Sequence, residues 1–235
     1  MRGLLVIAML AACGRFDFDA SLDATPPISG PITHANAFVN VQSSALSTTH
    51  TFAASAQAAG DLVLLHIYCG SVDAATSMTL TAPNWAFTEL GQIGNDSVGE
   101  YVYTVAAIAP DTTSATFTVV WTTTSGCQTS DDLGDEFGGT YDLATAIDSH
   151  DETTGDNDCV ASVTTRHADD AVWAGCTTLT VSGIATGYTK GADDGHGDWT
   201  EYRLASDPDD TVESPTFTNT SGKAFVMTAV ALSAR

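Results

Sequence analysis

From residue 37 to residue 232 the chain is a succession of short β-branched, aromatic and aliphatic runs separated by Gly, Asp, Asn, Pro and Thr, and no stretch carries a helical period. In residues 114–121, Ala115, Phe117, Val119 and Trp121 alternate with Ser114, Thr116 and Thr118, which turns one face inward and the other to water. Residues 98–106 repeat the pattern with Tyr101, Tyr103 and Val105. Two runs, 62–69 and 224–232, are apolar on both faces and read as central strands covered on both sides. Further strands are expected at 37–42, 49–53, 78–81, 132–138, 160–165, 171–178 and 199–204. About a dozen strands with turn signals between them predict an all-β chain, a single antiparallel two-sheet β-sandwich over residues 34–235.

Four of the five cysteines, Cys69, Cys127, Cys159 and Cys176, fall inside that region. An even number outside any Cys-x-x-Cys pair predicts two disulfides rather than a zinc site. Setting Cys159 opposite Cys176 in an antiparallel hairpin puts Ala161 opposite Ala174 and Val163 opposite Val172, with residues 166–169 as the loop. That bridge would contribute about 3 kcal/mol by restricting the unfolded chain. Cys69 then pairs with Cys127 by elimination, although four cysteines permit three pairings.

Charge narrows the partners. With 7 basic residues against 29 acidic ones the formal net charge is −22, so the chain repels phosphate backbones, and nucleic acid is not an expected partner. Cations are. The 43% hydrophobic content suffices for a core and argues against disorder.

The amino terminus carries a different kind of signal. Arg2, the apolar residues 4–10 and the small residues after them form an export signal too short to span a bilayer. It ends in Leu10-Ala11-Ala12-Cys13, which resembles the lipobox of bacterial lipoproteins. The resemblance implies removal of residues 1–12, a diacylglyceryl group on the Cys13 sulfur, a further acyl chain such as palmitate on its amine, and membrane lipid as a partner. Residues 13–33, acidic and proline-bearing, read as a flexible tether. Gly14 stands where inner-membrane lipoproteins of this kind carry Asp, which implies the outer membrane or the cell surface.

A second resemblance covers residues 36–234. Ala59-Gly60-Asp61-Leu62-Val63-Leu64-Leu65, then Trp85-Ala86-Phe87-Thr88, Tyr101-Val102-Tyr103, Glu136-Phe137-Gly138-Gly139 and Val226-Met227-Thr228-Ala229-Val230-Ala231-Leu232 are similar in order to the jelly-roll-like β-sandwich modules of bacterial surface proteins and phage tails. It implies a jelly-roll-like sandwich and a surface or carbohydrate-binding role.

Candidate sites are acidic and aromatic. Asp148, Asp151, Glu152, Asp156 and Asp158 form one acidic cluster, and Asp193, Asp194 and Asp198 around Gly195 and Gly197 form another. Hard oxygen ligands on a glycine-bearing loop suit Ca²⁺, so Asp193, Asp194 and Asp198 are the calcium candidates, with solvated loops as the alternative. Among the tryptophans, Trp121 and Trp173 read as core, and Trp199, beside the acidic loop, is the candidate ligand contact, with burial as the alternative. His66 reads as a hydrogen-bonded core residue. No nucleophile elbow, zinc-protease helix or phosphate-binding glycine loop is present, and no enzyme activity is expected. The expected function is a membrane-anchored, non-catalytic surface domain for binding or adhesion, to polysaccharide in particular. A purely structural envelope lipoprotein and a glycan-hydrolysing sandwich are the alternatives.

Overall fold

The computed structural model describes residues 31–71, 77–95, 99–178, 180–205, 211–220 and 222–233. The export signal, Cys13 and most of the tether lie outside them. Almost everything described is antiparallel β-structure, in two successive sets of strands.

The first set comprises β1 (Thr33–Ser47), β2 (Thr49–Ala54), β3 (Leu62–Gly70), β4 (Ser77–Thr81), β5 (Phe87–Asn95), β6 (Glu100–Ile108), β7 (Ala115–Thr122) and β8 (Cys127–Gly138). They form a five-stranded sheet ordered β1-β8-β3-β6-β5 and a three-stranded sheet ordered β2-β7-β4. A one-turn helix, α1 (Leu143–Ala146), capped by Asp142 through its Oδ1 and the Ala144 N–H, leads into the second set.

That set comprises β9 (Ile147–Gly155), β10 (Cys159–Val160), β11 (Val163–Thr164), β12 (Ala171–Thr177), β13 (Val181–Gly183), β14 (Thr189–Asp193), β15 (Trp199–Arg203), β16 (Val212–Glu213), β17 (Thr216–Asn219) and β18 (Phe225–Leu232). Its five-stranded sheet runs β9-β18-β12-β15-β14, strand for strand the order of the first, and β10-β17-β13 reproduces β2-β7-β4, with β11-β16 as an added pair. The registers agree as well. Cys69 lies opposite Tyr101 and Cys176 opposite Trp199, while Phe52 lies opposite Phe117 and Cys159 opposite Phe217. The chain is thus one strand arrangement used twice.

The two units pack through their five-stranded sheets, which gives four layers. On β3, Val63, Leu65, Ile67 and Cys69 enter the core under β2-β7-β4, whereas Leu62 and Leu64 face the second unit. On β12, Val172, Ala174 and Cys176 enter the core of their own unit, while Ala171 and Trp173 face the first. A strand between two apolar layers must be apolar on both faces, which accounts for the uninterrupted runs at β3, β12 and β18. Contacts between units come in matched pairs: β5 packs on β9 as β14 packs on β1, and β6 on β18 as β15 on β8. Such reciprocity is that of a two-fold interface between like units.

Two expectations change here. The chain does not form a single two-sheet sandwich: its strands make five sheets in two units, and the outward face of β3 is covered by the second unit as that of β18 is covered by the first. The hairpin register for Cys159 and Cys176 is also replaced. β10 pairs with β17, β11 with β16, and β12 with β15 and β18. The disulfide itself is present, joining the outer layer to the inner one, and Cys69–Cys127 is the other bridge. Ala161, Val163, Val172 and Ala174 share one core cluster, so they face each other across layers rather than side by side in one sheet.

Candidate functional site

A cavity of about 220 Å³ opens where the two five-stranded sheets meet. Tyr68 of β3, Glu100 of β6 and Thr129 and Asp131 of β8 line it from the first unit; Thr177, Thr178, Asp194, His196 and Asp198 line it from the second. Glu100 faces Gly70 one step beyond the Cys69–Tyr101 pair, and Asp198 stands one step beyond the equivalent Cys176–Trp199 pair. Two acids in matching places in the two units thus meet in one cavity, as they do when a site lies on the two-fold relation.

Strand alternation aims Asp131. Its neighbour Asp132 points to the opposite side of β8, where its carboxylate accepts from Asn40 Nδ2 at 2.7 Å and lies 2.8 Å from His50 Nε2. Asp131 is left facing the second unit. The turn between β14 and β15 aims the other two. Asp194 Oδ1 accepts the N–H groups of His196, Gly197 and Asp198 at 2.8, 3.0 and 2.9 Å. Gly195 and Gly197, at φ +77° and +125°, let the backbone fold around that oxygen. Asp198 Oδ1 accepts the Thr178 N–H at 2.9 Å, which fixes the turn to the end of β12.

One oxygen from each of Asp131, Asp194 and Asp198 lies within 4.8 Å of the others, and all three residues are buried. Burial, followed by the charges of Asp194 and Asp132, pushes Asp131 up to about 7. Burial and then the charges of Asp194 and Asp131 push Asp198 well above the usual carboxylate range. Burial also raises Glu100 to about 7. The hydrogen bonding is incomplete as well. Asp131 Oδ1, Asp194 Oδ2, Thr178 Oγ1 and Glu100 Oε2 are buried without a hydrogen-bond partner in the protein. All four residues line this one cavity. Unpaired buried polar atoms are costly and ordinarily few, so their concentration at one place calls for a ligand.

The sequence-based candidates divide accordingly. Asp194 and Asp198 converge in the cavity, whereas Asp193 turns away, pairing with Lys190 Nζ and accepting the Gly195 N–H. Asp131 takes its place. A cluster read from one loop could not include a residue from the other unit; the only local sign of it is an acid on the inward face of a strand. Trp199 is half-buried against the core of the second unit under Lys190 Nζ, 3.2 Å from its ring, and it does not line the cavity. Trp85, Trp121 and Trp173 are buried, so among the described residues no tryptophan offers an open stacking face. Trp173 Nε1 instead donates to Asp135 at 2.7 Å. His66 is a core residue, as expected: burial lowers its pKa to about 3, and its Nε2 sits 2.8 Å from Thr177 Oγ1.

The other acidic cluster is strand rather than loop as far as Gly155, with Asp156 and Asp158 in the bend that follows. Asp148, Asp151 and Glu152 belong to β9, where Asp151 accepts the Ser162 N–H and Glu152 contacts His150, so these groups hold local structure rather than converge. No protein-family model, curated protein or solved structure matches this chain.

Proposed function

We propose that this chain is an exported bacterial lipoprotein, held to the outer membrane or cell surface through acylated Cys13, whose folded part is a non-catalytic, jelly-roll-like binding module with its ligand site in the cavity between the units. The observation that carries the binding reading is the gathering of four buried polar atoms without a hydrogen bond, on Glu100, Asp131, Thr178 and Asp194, around one cavity. Carboxylates are acceptors, so the fitting ligand brings hydroxyl or cationic groups, and the acidic lining turns anions away. A neutral segment of polysaccharide meets both conditions, with Val41 and Tyr68 to contact its apolar edges. The carboxylates converge on a point instead of flanking a bond, which favours binding over hydrolysis. The disulfides agree with an oxidising compartment.

Two experiments test it. Cys13→Ala should abolish acylation and release the protein from membranes; a mature-size variant still in the membrane fraction would defeat the anchor. A polysaccharide that raises the melting temperature of the wild type should lose that effect in Glu100→Gln, and a panel without any such response would leave the structural envelope reading. Burial of Trp85, Trp121 and Trp173 is the observation that favours this second reading.

A further inference from the structure

We propose that Asp131, Asp194, Asp198 and the Thr178 hydroxyl bind one Ca²⁺ that ties the two units together. The proposal shares the cavity of the binding module but does not depend on a glycan entering it.

Three carboxylate oxygens within 4.8 Å of one another, all on buried residues, are the donor set of a hard cation. Local structure leaves the right atoms over. In Asp194, Oδ1 is consumed by three N–H groups of its own turn, while Oδ2 belongs to a fully buried side chain and has no hydrogen bond, His196 Nδ1 lying 3.6 Å away. In Asp131, Oδ1 is likewise buried and unpartnered. Thr178 lies outside the acidic cluster, is 2% exposed, and its Oγ1 is buried and unpartnered beside the same carboxylates. Its backbone N–H holds Asp198, so hydroxyl and carboxylate are placed by one hydrogen bond.

The donors select the ion. All are oxygens, and His196, the one nitrogen ligand nearby, is 75% exposed with its Nδ1 3.0 Å from the Asp194 carbonyl oxygen. That disfavours zinc, which takes nitrogen and sulfur. Carboxylates from a strand and a turn make an irregular shell, which Ca²⁺ accepts with six to eight oxygens and Mg²⁺, with its strict octahedron, does not. Asp131 comes from β8 of the first unit, and Asp194, Asp198 and Thr178 come from the second. The ion would therefore replace repulsion between the units by attraction to a common centre.

The test is calorimetry and thermal unfolding of the chelator-stripped full chain with CaCl₂ alone. One equivalent should bind with a Kd of roughly 0.1–1 mM, the range of extracellular calcium modules. Tenfold excess over that Kd should raise the melting temperature by roughly 3–6 °C. Asp131→Asn should weaken binding at least tenfold, whereas Asp193→Asn should bind as the wild type does. No heat and no shift in the wild type would overturn the proposal, and so would a larger response to Mg²⁺ or Zn²⁺, or full binding by Asp131→Asn. The wild-type titration decides even if a variant fails to fold. A Ca²⁺ response without any polysaccharide response would uphold the ion and defeat the glycan reading alone.

Discussion

The two units share a strand order but hold their layers together differently. In the first, the space between sheets is filled by rings: Phe117 sits 5.1 Å from Phe52, 5.0 Å from Trp85 and 5.3 Å from Phe87 by ring centroids. In the second, Cys159 occupies the place of Phe52 and is bonded to Cys176 of the inner sheet. The outer strands differ in the same sense. β2 and β7 run Thr49–Ala54 and Ala115–Thr122, whereas β10, β11 and β16 are two residues each. A short outer layer with mostly Ala and Val beneath it buries little area, and there a covalent link substitutes for packing. One topology is therefore stable by two routes, by aromatic volume or by cross-linking.

Breaking the aromatic route should have the largest effect. Phe117→Ala should cost about 3–5 kcal/mol, read by urea unfolding, because no neighbour can fill the space between three rings. The cross-link should come next. Cys159→Ser with Cys176→Ser should cost about 3 kcal/mol and speed hydrogen exchange in β10, β13 and β17 while sparing β2, β4 and β7. Equal acceleration in both units would show that they open as one body.

A smaller effect tests what the units have in common. Asp61, just before β3, lies beside Glu136, and Asp170, just before β12, lies beside Asp148. Burial and then the partner carboxyl raise Glu136 to about 7 and Asp148 to about 6. The folded state therefore binds protons that the unfolded state, with carboxyls near pH 4, has released. Stability should be fully present below about pH 4 and fall as pH rises through 6 and 7, when measured in chelator. Glu136→Gln with Asp148→Asn should make that slope shallower, leaving the part carried by other buried carboxyls, Glu100, Asp131 and Asp198 among them, and an unchanged slope would place all of the protons on those. The smallest effect should be that of Lys190→Met, which removes the cation from Trp199 and the ion pair with Asp193: less than about 1 kcal/mol, because the pair is partly exposed.

Alternation and apolar runs made β3, β7, β12 and β18 legible in the sequence; the cysteine pairings came out right although Cys159–Cys176 was argued from a hairpin that does not form and Cys69–Cys127 followed by elimination. β5 and β9 were not. Gly91 and Gly94 interrupt the first, and the acids of β9, an edge strand with no buried residue, read as a loop. The duplication was hidden because a repeated strand order needs only an inward-facing pattern, and few identities, such as Phe117 with Phe217, survive between the units. The hairpin was misplaced for a related reason: residues that alternate inward look alike whether they meet within a sheet or across two. In the site, Asp194 and Asp198 were visible because a turn gathers them locally. Asp131 becomes their neighbour only when two units pack, and packing leaves no mark in spacing.

In each unit the first strand has a single sheet neighbour, the last strand: β1 beside β8, and β9 beside β18. This imposes an order in time. A chain emerging from its amino end cannot seat β1 until residue 138 has arrived, nor β9 until β18 is out, so neither unit can close gradually. β18 is also inserted between β9 and β12, which makes it the strand on which the second unit waits.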